Sequence, residues 1–262
     1  MKEIVTSFAV SLGLIVALSV GGEAQAQSVT EESIESRFQL DFHVPEEALK
    51  KFLPAGWDVQ MAATGPAKDC NLRVIFIDRV NVNGPDGKTL GTGASQMVYL
   101  TVPVKNSASG STVQMVIAGL TGDSADVPGP FGVYTQAAGH QMKRSTVAGK
   151  GIGIIEEQTW EFTAAGGERI ESFVKYERVP AARARRETTY VSAADPKITQ
   201  VSKVDMGLNI ARNATVEMPD RVKEFRYKIG GGRLAPLFDG TERVVSVDIF
   251  PWNNLTIAAA PK

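Results

Sequence analysis

Asn71-Leu-Arg-Val-Ile-Phe-Ile-Asp-Arg-Val-Asn-Val-Asn-Gly-Pro-Asp-Gly87 decides the fold class. Its centre, Val74-Ile-Phe-Ile77, is a continuous apolar run bounded by turn chemistry, the mark of a buried strand. Gly84-Pro-Asp-Gly87 ends it as a turn, because proline presets one dihedral and glycine permits a positive one. Ser95-Gln-Met-Val-Tyr-Leu-Thr-Val-Pro-Val104 reads as the next strand, and Pro103, which has no N–H for a ladder, marks an edge or exit. Ser107-Ala-Ser-Gly110 turns the chain, and Thr112 to Leu120 returns as a third strand, so this part of the chain is a β-meander.

The pattern extends in both directions. Upstream, Arg37-Phe-Gln-Leu-Asp-Phe42 alternates with Phe38, Leu40 and Phe42 on one face, while Gln27 to Ser36 is polar and is read as a lead-in. Pro45 opens a short helix, at about 45–53, with Glu46 and Glu47 in its first turn, where acids favour the dipole. Pro54-Ala-Gly56 stops it, and Trp57 to Met61 is again a strand. Downstream, Gly151 to Phe162 and Ile170 to Val179 form a hairpin across Thr163-Ala-Ala-Gly-Gly167. Pro180 to Arg186 reads as a basic connection, and further strand patterns run to Phe250. The expectation is a mainly β, minor α+β protein: curved antiparallel sheets in a barrel-like double layer around a central cavity, where such folds hold small ligands.

The first 26 residues stand apart. A charged start, an apolar run from Ile4 to Val20 and Ala24-Gln25-Ala26 have the form of a secretory signal peptide cleaved after Ala26. The expected mature chain, 27–262, is one domain, periplasmic or secreted. Removing the leader leaves 27 basic and 27 acidic residues, from 28 and 29 in the whole chain. Such neutrality argues against a nucleic-acid partner, and no polybasic patch points to a membrane. Cys70 is the single cysteine, so an intrachain disulfide is excluded.

Chemistry-bearing residues gather between Val127 and Ser145, where Phe131, Tyr134, His140, Lys143 and Arg144 fall together. Phe131, Tyr134, His140, Gln96 and Trp160 are candidates to line a ligand pocket, though aromatics pack cores wherever they lie. In a strand, the three-residue spacing of His140 and Lys143 puts them on opposite faces. The same alternation puts Glu157 and Glu161 on one face and Glu156, Gln158 and Trp160 on the other, so one face presents carboxylates for acid–base work or for pairing with basic residues. Two histidines without a cysteine or histidine cluster make no metal site, and no phosphate loop or nucleophile elbow is present. Neither a cofactor nor a metal is expected; a homo-oligomer is left open.

The order of the pieces resembles the acetoacetate decarboxylase-like superfamily. Phe38 to Phe42, then His43-Val-Pro-Glu-Glu-Ala-Leu-Lys-Lys-Phe-Leu-Pro-Ala-Gly-Trp57, is similar to its strand, Val-Pro, helix, Leu-Pro-x-Gly opening. Asn71 to Asp78 and Met97 to Val104 look like its next two strands. In catalytic members a cavity lysine forms a Schiff base with a β-keto acid, its pKa lowered by a neighbouring cation; acetoacetate decarboxylase is the standard example of that activation. The resemblance implies Lys143 as nucleophile with Arg144 beside it; Glu157, on the carboxylate face that alternation gives its strand, is the candidate for acid–base work. Gln96 stands in the strand region where catalytic members carry a carboxylate, and the paired lysines of the family's reactive turn are absent in that form. Two functions follow as expectations: an exported Schiff-base lyase of decarboxylase or aldolase type acting on a small keto or carboxylic acid, or a non-catalytic small-molecule-binding protein on the same fold.

Overall fold

In a computed structural model, residues 29–123, 132–149 and 153–259 are described. Residues 1–28, which include the expected leader, and Phe131 lie outside them. Twelve strands dominate: β1 (Val29–His43), β2 (Trp57–Val59), β3 (Leu72–Asn83), β4 (Ser95–Asn106), β5 (Thr112–Thr121), β6 (Tyr134–Ala148), β7 (Ile154–Ala164), β8 (Arg169–Arg178), β9 (Ala182–Ser192), β10 (Thr199–Asn213), β11 (Val222–Gly230) and β12 (Arg243–Ala259). One helix, α1 (Glu46–Lys50), follows β1 as expected, and a 3-10 segment, Gly232–Leu237, precedes β12.

The strands form one sheet in the order β11-β8-β7-β6-β5-β9-β10-β12-β1-β3-β4-β2, and a further β4–β5 pairing closes seven of them into a ring. The sheet is mixed where antiparallel sheets were expected. β5 runs parallel to β9 over Gln114–Val116, then parallel to β6 over Gly119–Thr121. Changing partner midway lets one strand both close the ring and launch the outer layer. Pro103 sits where β4 changes partner too. Its β3 pairing ends at Thr101 and its β2 pairing begins at Val104, so the missing N–H falls between two ladders.

Alternation then sorts the side chains. Phe38, Leu40 and Phe42 of β1, with Val74 and Phe76 of β3, point out of the ring and meet the outer sheet β6-β7-β8-β11. Phe76 stacks on Phe38 with centroids 5.5 Å apart and packs against Trp160 at 5.6 Å. This inter-layer core holds most of the buried apolar side chains, and at about 25 cal/mol per Å² of buried apolar surface it supplies most of the hydrophobic stabilisation.

Two regions read as irregular from the sequence are strands. Val29 to Ser36 is the first half of β1, and Ala182 to Arg186 opens β9. Glu31, Ser33 and Glu35 are buried while Ile34 is 48 % exposed, the reverse of the usual pattern. From Tyr134 onward, the stretch in which the chemistry-bearing residues gather is the regular strand β6.

Candidate functional site

The inward row of β1 explains the reversal. Glu35, Arg37, Gln39 and Asp41 occupy alternate positions on the face opposite Phe38 and Leu40. All seven ring strands send side chains to one cavity inside the ring, including Glu35 and Arg37 of β1, Ile77 of β3, Tyr99 of β4, Val116 of β5 and Tyr190 of β9. Tyr134, the first residue of β6, lines it too. The cavity measures about 30 Å³, room for roughly two waters at about 10–15 Å³ each.

Charge in this cavity is organised around Glu35. Arg37 Nε donates to Glu35 Oε2 at 2.6 Å, Asn253 Nδ2 donates to the same oxygen at 3.1 Å, and Ser33 Oγ donates to Oε1 at 3.0 Å. Arg79, fully buried behind it, lies 3.7 Å from Glu35 Oε1 and pairs with Glu31. Two acids and two guanidiniums therefore balance. Arg37 has five N–H donors but spends only Nε on the protein; its terminal nitrogens have no hydrogen-bond acceptor among the described residues.

Three tyrosines complete the wall. The rings of Tyr134 and Tyr190 each lie 6.5 Å from Tyr99, edge-on. Burial holds the Tyr99 and Tyr134 hydroxyls above their ordinary pKa, so both stay protonated and able to donate. Gly119 makes room for Tyr134: in the parallel register the two residues are opposite, and a Cβ at 119 would overlap the tyrosine ring.

The same inward face carries a second polar group further along β1 and β12. Asp41 accepts from Gln39 Nε2 at 2.7 Å and lies 3.5 Å from Arg73 Nε, while Asp248 accepts from Ser246 Oγ at 2.5 Å. Burial, reinforced by Asp41, pushes the Asp248 carboxyl up to about 7, and burial raises Asp41 as well. Cys70, beside this group, is inert: burial and then Asp41 push its thiol up to about 12.

The residues singled out from the sequence are dispersed. Tyr134 reaches the cavity. Lys143 is exposed on the outward face of β6, opposite Thr159, and is not among the cavity-lining residues. Arg144, on the inner face, donates to Ser36 Oγ at 2.8 Å and lies 3.5 Å from Glu156. Glu157 faces outward and pairs with Lys175 at 2.7 Å. His140 stacks on Phe162 with centroids 6.0 Å apart, against Gly122. Gln96 donates to Asp78 Oδ1 at 2.9 Å. Trp160 is fully buried in the inter-layer core, its Nε1 donating to Gln158. No lysine among the described residues lines the cavity. No group of three or more His, Cys, Asp or Glu side chains among the described residues could hold a metal ion.

Sequence reasoning passed over Arg37, Glu35, Tyr99 and Tyr190. The signal was nevertheless present, since Glu31, Ser33, Glu35, Arg37, Gln39 and Asp41 form an unbroken period-2 polar row behind an aromatic face.

A curled β sheet closed into a seven-stranded ring and backed by a second layer is the acetoacetate decarboxylase-like fold. The chain is similar to an acetoacetate decarboxylase-like enzyme from Sphingomonas wittichii RW1, with a TM-score of 0.51 and 11 % identity over 95 % of this chain and 99 % of that one. It is similar to the enduracididine biosynthesis enzyme MppR in a structure with HEPES buffer bound, with a TM-score of 0.50 and 11 % identity over 92 % of this chain and 90 % of that one. The acetoacetate decarboxylase of Legionella pneumophila gives a TM-score of 0.49 and 13 % identity over 97 % of this chain and 96 % of that one. The sequence matches no family model and no curated protein. At these identities the likeness is one of fold.

Proposed function

We propose that this protein takes the polar end of a small keto or carboxylic acid into the ring cavity and holds it without a covalent lysine adduct. The observation that carries this reading is Arg37: a nearly buried guanidinium whose terminal nitrogens have no protein acceptor, in a cavity ringed by tyrosine hydroxyls. The terminal nitrogens of Arg37 keep contact with solvent, so an oxygen-bearing ligand replaces water on donors that Glu35 already holds in position. A carboxylate or keto oxygen suits these donors, and Ile77, Val116, Leu255 and Ile257 suit a short apolar body. The small volume limits what enters to a head group of a few atoms.

Calorimetric titration with acetoacetate and pyruvate, on wild type and Arg37→Met, tests the reading. Saturable binding that weakens at least tenfold in Arg37→Met is expected. Binding indifferent to that substitution sinks it.

The Schiff-base lyase reading needs Lys143 to meet the substrate, and borohydride trapping followed by intact mass addresses it directly. An adduct that disappears in Lys143→Ala replaces our proposal with the lyase. The proposal further places the protein outside the cytoplasm, on the leader pattern of residues 1–26. An exported product beginning at Gln27 is the expected result of N-terminal sequencing.

A further inference from the structure

A larger cleft lies on the other side of Tyr134. Its walls are α1, the 3-10 segment and the starts of β6 and the β9–β10 turn, and its volume is about 510 Å³, within the range of roughly 300–1,000 Å³ common for ligand sites. Apolar groups make most of the lining: Phe52, Ile117, Val133 and Pro236 beside the tyrosine ring. Two charges face it, Lys51 and Arg233, and no carboxylate lines it among the described residues.

These cations are unspent. Neither Lys51 nor Arg233 forms an ion pair among the described residues, although Lys50 next door is held by Glu46 and Glu47. Glu168 shares an adjoining crevice with Arg233 but makes no ion pair with it. Arg233 is instead fixed by its surroundings: its guanidinium lies over the Phe52 ring at 5.9 Å, and Nη2 donates to the Val133 carbonyl at 3.4 Å. A guanidinium held in place by a ring and a backbone oxygen loses less freedom when an anion arrives.

We propose that this cleft is a second small-molecule site, for an organic anion with a flat apolar body. Its charged end is taken by Arg233 and Lys51, and its body lies on Phe52, Ile117 and Val133. The site shares Tyr134 with the ring cavity, while its charged and apolar anchors, Arg233, Lys51 and Phe52, are its own.

The probe is 8-anilinonaphthalene-1-sulfonate, followed by fluorescence and calorimetry on the folded full chain. One-site binding is expected, weakening at least tenfold in the double variant Lys51→Gln/Arg233→Gln and falling with added salt, because the contact is ionic. Arg37→Met, in the ring cavity, is expected to leave it unchanged. A second variant, Ala194→Phe, fills the cleft without altering charge and is expected to abolish binding. Near-UV circular dichroism verifies that each variant keeps its packing. Binding that survives both cleft variants, or absence of saturable binding in wild type, overturns the proposal.

Discussion

The two ends of the ring interior solve one problem differently. At the cavity end, Glu31 and Glu35 face Arg37 and Arg79, each acid within reach of a guanidinium, and Ser33 and Asn253 fill the remaining acceptor positions of Glu35. At the other end, Asp41 and Asp248 share a neighbourhood in which Arg73 reaches Asp41 at 3.5 Å, and Arg186 acts only at longer range. Charge is balanced by pairing at the first end and suppressed by retained protons at the second. The comparison shows that a buried carboxylate is tolerated in two forms, and that how closely the cations approach decides which.

The largest effect is expected from breaking the paired end. Arg79→Met leaves Glu31 and Glu35 buried without their shared partner, and removing one member of such a group costs about 3–5 kcal/mol. Urea denaturation is expected to show that loss in its midpoint.

The unpaired end responds to pH with a defined sign. The Asp248 carboxyl has an ordinary value of 3.8 and is held at about 7 in the folded chain, so the folded state binds the extra proton between those values. The contribution of Asp248 to stability is therefore fully present below pH 4, falls as pH rises towards 7, and levels off beyond; Asp41, also raised, adds in the same direction. The expected loss between pH 4 and pH 8 is roughly 2–4 kcal/mol. Asp248→Asn keeps the acceptor for Ser246 and flattens most of that slope, which chemical denaturation at several pH values measures.

Gly119→Ala sharpens the picture at the cavity wall. The added methyl displaces the Tyr134 ring, and overpacking of this kind costs about 1–3 kcal/mol. Thermal melts are expected to drop accordingly, with loss of acid binding in the cavity. Lys143→Ala, on the exposed face and outside both ends, is expected to change stability by less than about 0.5 kcal/mol.

The same contrast explains what could be read from the sequence. β3, β4 and β5 were legible because their outward face is apolar and their turns carry glycine and proline. The first half of β1 and the start of β9 were not, because a polar interior inverts the rule that alternation points apolar residues inward: Glu31, Ser33 and Glu35 are buried. Reactive residue types clustered in the chain at His140, Lys143 and Arg144, but a strand sends neighbours to opposite faces, so adjacency in sequence did not become adjacency in space. Tyr134 was found because an aromatic after a turn stands out, whereas Tyr99 and Arg37 were hidden within strands assigned to packing.

The closure of the ring has a consequence for the order of folding. β5 is joined to β9 by only three parallel residue pairs, Gln114–Val116 with Tyr190–Ser192, whereas β1 meets β12 along nearly its full length. That short seam links positions 76 apart in the chain (190 minus 114), and parallel pairing is slightly weaker per residue. A seam of so few pairs gains least on closing, so it forms last and reopens before any other part of the ring. Amide exchange at Val116 and Ala193 would then report a side door to the interior, one that swings while the rest of the wall stands.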